Sequence, residues 1–206
     1  MSEHQQNPYH QVAGHFVTQY ESLSSEKLHQ SWLHLLPEKG WLLDVGAGSG
    51  RDAAFFAQRG LSVVAVEPAK PMRDLACELH KQHCIHWVDD SLPELKQVFA
   101  LQIKFELILL SAVWMHIEPC LRELAIRKLS QLLNPGGHLV ITLRHGEFTD
   151  GRIGYAVSAD EISTLAMHAG LQLVLRTASE ESQADLLGRN NVKWETIVLA
   201  RMMTHE

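Results

Sequence analysis

Between residues 41 and 201, short apolar runs alternate with longer stretches of helical periodicity. Residues 41–45, 61–66, 85–88, 105–110 and 138–143 are dense in Leu, Val and Ile, the composition of strands covered on both faces. Helical patterns lie between them. One starts at Ala53, one runs from Pro71 to Gln82, and one opens at Pro119 with Leu121, Leu124, Ala125, Leu129, Leu132 and Leu133 on its buried face. Asn134-Pro135-Gly136-Gly137 is expected to end that helix before the strand at 138. Ser158-x-x-Glu161 has the form of a capping box and opens a helix that runs to Gly170. Two further strands follow at 171–176 and 192–201. Strand and helix in alternation predict an α/β protein built on a parallel sheet.

The chain ahead of the first strand is different. Residues 1–8 read as a loose tail, and 9–37 as a helical segment broken near Ser22-Leu23-Ser24-Ser25. Leu28, Trp32 and Leu35, at i, i+4 and i+7, form one apolar stripe of its second helix, which Pro37 and Gly40 end. Residues 146–157 read as a glycine-containing loop, and 178–191 as a polar excursion between the last two strands. The absence of internal repeats and of low-complexity tracts predicts one domain over 1–206, with its core at 41–201.

Composition narrows the partners. At 206 residues the chain is long enough for a full-size core. A net charge of −6 argues against nucleic acid or an anionic membrane as the main partner, although 13 histidines gain charge just below neutrality. The longest apolar run, 107–115, is shorter than the ~20 residues that span a bilayer as a helix. Three cysteines (Cys77, Cys84, Cys120) cannot form a closed disulfide set, and residues 1–10 lack a signal peptide's apolar stretch. These features predict a cytoplasmic protein. His80, His83, Cys84 and His86 are close in sequence but straddle a helix end and a strand, without zinc-site spacing, so no metal is expected.

The stretch that carries chemistry is Leu43-Asp44-Val45-Gly46-Ala47-Gly48-Ser49-Gly50-Arg51-Asp52. A strand, a glycine turn and a helix start in succession bring a ligand onto backbone N–H groups at a helix N-terminus. A dinucleotide fingerprint would need glycine at 51, where Arg51 stands, and Asp44 two residues before the first glycine suits a cationic ligand rather than a pyrophosphate. A phosphate loop is excluded because no Gly-Lys-Ser/Thr follows. Glu67, 23 residues beyond Asp44 at the tip of the second strand, is placed to accept from ribose hydroxyls.

The pattern (D/E)-x-G-x-G-x-G resembles motif I of class I S-adenosylmethionine (AdoMet)-dependent methyltransferases. The resemblance extends in order through Glu67, Asp89-Asp90-Ser91-Leu92-Pro93, Ser111 to His116 at the position of motif IV, and the Pro-Gly-Gly turn. It implies a Rossmann-like sheet of seven mostly parallel strands in the order 3-2-1-4-5-7-6, the last antiparallel, with helices on both faces. Small bacterial enzymes that methylate small molecules are the nearest type. AdoMet is the implied cofactor and S-adenosylhomocysteine its product. The implied cofactor contacts are Asp44, Gly46, Ala47, Gly48, Ser49 and Gly50 toward the methionyl end, and Glu67 and Pro68 at the ribose. Met72 lies beside the cofactor, Asp90 (preferred over Asp89) and Ser91 face the adenine, and Ser111 and Ala112 border the sulfonium.

His116 is the candidate general base or, equally, a cap on the strand–helix junction. Arg144 is a clamp for a substrate anion or a peripheral salt-bridge partner. Trp114 lines the pocket or belongs to the core. Tyr9, Phe16 and Tyr20 either close over the cofactor or pack against the sheet edge. Two other readings stay open: a non-catalytic AdoMet-binding regulator and, disfavoured by Arg51 and Asp44, an NAD(P)-dependent oxidoreductase. The acceptor and the oligomeric state carry no readable signal.

Overall fold

The computed structural model describes residues 13–149, 151–177, 183–185, 187–189 and 191–203. The tail at 1–8, Tyr9 and much of the excursion at 178–191 lie outside the described residues. The first strand, β1 (Trp41–Val45), sits inside the sheet, with β2 (Ser62–Val66) and β4 (Phe105–Ser111) parallel to it on either side. β3 (Ile85–Val88) extends the sheet beyond β2, and β5 (Leu133–His145) beyond β4. β6 (Leu171–Arg176), the two-residue β7 (Gln183–Ala184) and β8 (Lys193–Arg201) complete the sheet. β8 inserts antiparallel between β5 and β6, giving the order β3-β2-β1-β4-β5-β8-β6. With β7 set aside, this is the expected seven-strand order with an antiparallel last strand.

Alternation along the strands divides the core into two layers. Leu43, Val45, Ile108, Leu110, Leu139 and Ile141 face one side, packed with Ala125, Ile126 and Leu129 of α6 (Arg122–Leu132) and Ile162 of α7 (Ala159–His168). Leu42, Val63, Ala65, Leu107 and Leu109 face the other, against Trp32 and against Ala53 and Phe56 of α3 (Arg51–Ala57). Strands covered on both faces explain the near-continuous apolar runs.

The entry segment forms α1 (Ala13–Glu21) and α2 (Ser25–His29), with Ser24 capping α2 through its hydroxyl. The expected stripe does not lie on one long helix. α2 stops at His29, and a turn carries Trp32 into the core against His29 and Phe56 while Leu28 faces a cavity. α4 (Lys70–Leu79) carries a proline in its first turn, as expected. A short α5 (Lys96–Ala100) was not legible, because its stabilising group, Asp90, lies outside it in sequence.

Two local expectations are corrected. β5 begins at Leu133 rather than at 138. Leu133 already pairs with Phe105, and residues 134–137 bulge out while Asn134 bonds Glu106 (2.6 Å). The capping box at α7 is half made. Ser158 accepts from the Asp160 N–H (3.1 Å), but Glu161 turns away to the buried Arg122 guanidinium (2.7 Å), a stronger charge-assisted partner than a backbone N–H. No helix among the described residues is long and apolar enough to cross a membrane.

Candidate active site

Five parallel strands, β1 to β5, end on one side of the sheet, and a cavity of about 400 Å³ opens there. In open α/β sheets this is the crevice where ligands bind, at the point where strand order reverses between β1 and β4. The glycine turn after β1 forms one wall. Gly46, Gly48 and Gly50 have φ of +71°, +58° and +82°. A Cβ on Gly46 would lie 2.6 Å from Val113 Cγ2, and one on Gly50 2.8 Å from the Trp87 ring, so neither position accepts another residue without displacement.

The turn differs from the expected cradle of open donors. The N–H groups of Gly46 and Ala47 donate to Val66 O (2.8 and 2.9 Å), that of Gly48 to Glu67 Oε2 (2.9 Å) and that of Gly50 to Ala47 O (2.9 Å). Three of these pin the turn to the end of β2 and the fourth closes the turn on itself, so the glycines serve close approach more than donation. Gly46, Ala47, Gly48 and Ser49 line the cavity. Gly50 does not, because its left-handed turn points it toward His80 and Trp87.

Asp44 lies at the cavity floor, 1% exposed. Burial first, then the nearby Asp52 charge, push its pKa well above the ordinary carboxylate value. It accepts from the Ala53 backbone, while its Oδ2 is buried without a hydrogen bond. A buried orphaned carboxylate oxygen is costly and marks a place where a donor belongs.

Asp52 is tied down instead. Arg51 Nε and Nη2 grip its two oxygens (2.9 and 2.7 Å), Ser25 Oγ donates (2.6 Å), and His29 Nε2 lies 3.1 Å away. Burial would raise its pKa, but the charges of Arg51 and His29 hold it well below the usual range. In sequence Arg51 only fills the place of a dinucleotide fingerprint's third glycine. In the fold it also reaches Tyr20 O (3.3 Å), joining the turn to α1.

Glu67 is 7% exposed, with Oε2 accepting from Gly48 and Oε1 from the Ala69 N–H (2.8 Å). Burial raises its pKa, and those two N–H groups oppose the rise. Pro68 and Met72 lie alongside in the cavity wall. Asp90 and Ser91 also line the cavity, whereas Asp89 turns out to Arg73 (2.8 Å). The Asp90 carboxylate accepts from the N–H groups of Ser91, Gln97 and Val98, so it also holds α5 in place.

Ser111 and Ala112 close the end of β4, where Ala112 adopts φ +60° and its N–H donates to Thr142 Oγ1 (2.9 Å). A non-glycine residue there costs about 1 kcal/mol, strain of the kind found at ligand sites. His116 and Arg144 line the cavity too, while Trp114 is fully buried and belongs to the core. Arg144 is 6% exposed, not peripheral.

α1 lies over the turn rather than on a sheet edge. Phe16 and Tyr20 pack with Ala69 and Met72, and Glu21 accepts from Ser49 Oγ (2.6 Å) and contacts His80 (3.2 Å). His80 is thereby engaged with α1, and His83 with Gln58 (3.0 Å). Among the described residues no group of His, Cys, Asp or Glu could hold a metal ion.

A family model described as "Methyltransferase domain" matches residues 16–176. No curated protein matches the sequence. Solved structures with the same fold include 1,6-didemethyltoxoflavin-N1-methyltransferase of Burkholderia thailandensis, bound to 1,6-didemethyltoxoflavin and S-adenosylhomocysteine. It is 20% identical, with a TM-score of 0.68 over 93% of this chain and 87% of its own. The N-methyltransferase NodS of Bradyrhizobium japonicum is 17% identical, with a TM-score of 0.68 over 95% of this chain and 99% of its own. Magnesium protoporphyrin IX methyltransferase of Synechocystis is 13% identical, with a TM-score of 0.70 over 94% of this chain and 96% of its own. With the match covering most of its length, and the sheet order and crevice those of the class I fold, the chain belongs to the methyltransferase-domain family.

Proposed function

We propose that this methyltransferase takes its methyl group from AdoMet and transfers it to a small-molecule acceptor. The observation that carries the reading is Asp44: a buried carboxylate at the cavity floor, with one oxygen lacking a donor, beside a turn shaped for close approach. A ligand ammonium supplies the missing donor and the missing counter-charge together. The residues that would hold the cofactor are Asp44 and the 46–49 turn at its amino-acid end, and Glu67 and Pro68 at its ribose. Met72, Asp90 and Ser91 would surround its base, with Ser111 and Ala112 beside its sulfur. Bound there, it supplies an electrophilic methyl group on a sulfonium leaving group, open to in-line displacement.

The protein's own tasks are then alignment, exclusion of water and handling of the acceptor's proton. Glu67 is held by two backbone donors, and each carboxylate oxygen keeps a second lone pair for a hydroxyl. The described part of segment 9–37 forms a wall over the turn, in keeping with its reading as a lid. His116 Nδ1 lies 2.6 Å from Ile153 O. A carbonyl only accepts, so Nδ1 carries the proton, and His116 at the cavity wall is the candidate to take up the acceptor's proton. The Burkholderia and Synechocystis enzymes act on 1,6-didemethyltoxoflavin and magnesium protoporphyrin IX by name, which supports an acceptor of small-molecule class.

Thermal unfolding with AdoMet, S-adenosylhomocysteine, NAD and NADP tests the cofactor. A ligand at ~100 times its Kd stabilises by ~2.7 kcal/mol, here a rise in Tm of about 5–10 °C. A rise with the two adenosyl ligands alone is expected; one with NAD or NADP instead overturns the reading. Transfer of label from AdoMet into a metabolite extract separates an enzyme from a non-catalytic binder.

A further inference from the structure

Two buried carboxylates line the cavity near the glycine turn, and the cations there serve one of them. Asp52 takes Arg51 Nε and Nη2 on its two oxygens (2.9 and 2.7 Å), with Ser25 Oγ (2.6 Å) and His29 Nε2 (3.1 Å) at Oδ1. Asp44 has the Ala53 backbone N–H and, among the described residues, no ion pair and nothing bonded to Oδ2. The charged groups that face Asp44 are Asp52 and Arg51 at the start of α3 and Glu67 just past the end of β2. The flanking strands set the apolar Ala65 and Leu109 opposite it, and His29 of α2 lines the same cavity.

The balance of these groups is against a charge on Asp44. Burial penalises an ionised carboxylate, and a like charge nearby adds to the penalty. Asp52 and Glu67 are such charges. Arg51 opposes them, but its own charge is already matched by Asp52. The rise in the Asp44 pKa follows, burial contributing most and Asp52 next.

We infer that Asp44 holds a proton on Oδ2 before the cofactor binds and releases it as the ammonium of the cofactor's amino-acid end arrives. This rests on the AdoMet reading above. The Oδ2–H bond breaks, the proton passes to solvent, and an ammonium N–H donates to the carboxylate left behind. One cation replaces another, so the buried site never carries the bare charge. An adenosyl ligand with no ammonium offers nothing in exchange, and the acid keeps its proton. Affinity for a ligand that has the ammonium therefore weakens as pH falls, by up to about tenfold per pH unit once the free carboxyl is fully protonated.

Titration calorimetry compares S-adenosylhomocysteine with 5′-methylthioadenosine, a thioether of the same adenosyl group without the amino-acid end. The range is pH ~5 to ~7, over which the first ligand keeps its ammonium and its carboxylate. Both ligands carry the ribose, so titration of Glu67 affects them alike and their affinity ratio isolates the amino-acid end. The expected ratio falls with pH, and in buffers of different ionisation heat S-adenosylhomocysteine releases more protons than 5′-methylthioadenosine. Asp44→Asn, an uncharged isostere, should weaken S-adenosylhomocysteine by about tenfold or more at pH ~7 and flatten the ratio. Retained binding of 5′-methylthioadenosine shows that the variant folds; where it does not fold, the parent's ratio is decisive by itself. A ratio that stays constant, or that keeps its slope in Asp44→Asn, would overturn the inference. So would a ratio that rises as pH falls, the sign of His29 charging to meet the ligand carboxylate. Failure of both ligands to bind the parent at any pH would instead sink the cofactor reading, and this inference with it.

Discussion

Glu67→Gln is a change of one atom, yet the site makes it severe. Two backbone N–H groups, from Gly48 and Ala69, point at separate oxygens of the carboxylate at 2.9 and 2.8 Å. A glutamine presents one acceptor and one NH2 group, so it satisfies one N–H and opposes the other. Leaving a buried donor unsatisfied costs about 1–3 kcal/mol. Part of this is offset, because burial raises the Glu67 pKa and the amide has no charge to bury. The net expectation is a loss of about 1–2 kcal/mol, a fall in Tm of roughly 2–8 °C for a chain of this length. The Gly48 N–H is one of the two affected, so the glycine turn loosens as well, and S-adenosylhomocysteine should bind about tenfold or more weaker. Urea denaturation reads the first quantity and titration calorimetry the second. A variant with both midpoint and affinity unchanged would show that Glu67 neither braces the turn nor meets the ligand.

Asp52→Asn should destabilise by about 3 kcal/mol, the scale for breaking a buried charge pair, because Arg51 and His29 lose their shared partner. Its depressed pKa means that its contribution is present above the unfolded value near ~3.9 and is lost as pH falls through the lower folded value. Below pH ~4 the parent's extra stability should therefore shrink toward the variant's; a constant gap from pH 7 to 3 in denaturation midpoints would contradict this. For His116→Ala, the expectation is a rate of methyl transfer that drops about 100-fold or more and loses the parent's dependence on pH. A variant that keeps the parent's pH profile makes the Ile153 contact purely structural.

Much of the fold was legible because its signals are local. The near-continuous apolar runs at 41–45 and 105–110 mark strands buried on both faces of a parallel sheet, and Gly46 and Gly50 need positive φ because of the turn itself. Asp44 and Glu67 stood out because each follows or precedes that turn at a telling distance. What escaped were contacts whose partners are far apart in sequence. Ser25 and His29 meet Asp52, and Glu21 meets Ser49 and His80, through the docking of α1 and α2 that no periodicity encodes. Glu161 had a correct cap position and a better partner in Arg122, 39 residues away.

The sequence by itself determined the alternation of strand and helix, the glycine turn and the carboxylates beside it, since each depends on backbone conformation and side-chain period within a few residues. The tertiary structure alone decided that the turn's N–H groups close on Val66 and Glu67, and that Asp44 keeps an oxygen unmatched while Asp52 is gripped from three sides. It also decided that Phe148 gathers Arg144 and Arg152 onto one ring. Those outcomes depend on which surfaces meet when β5, its following loop and the N-terminal helices fold over the crevice. Hydrogen bonding and charge are set by such meetings at the scale of ångströms, and residue order does not record them.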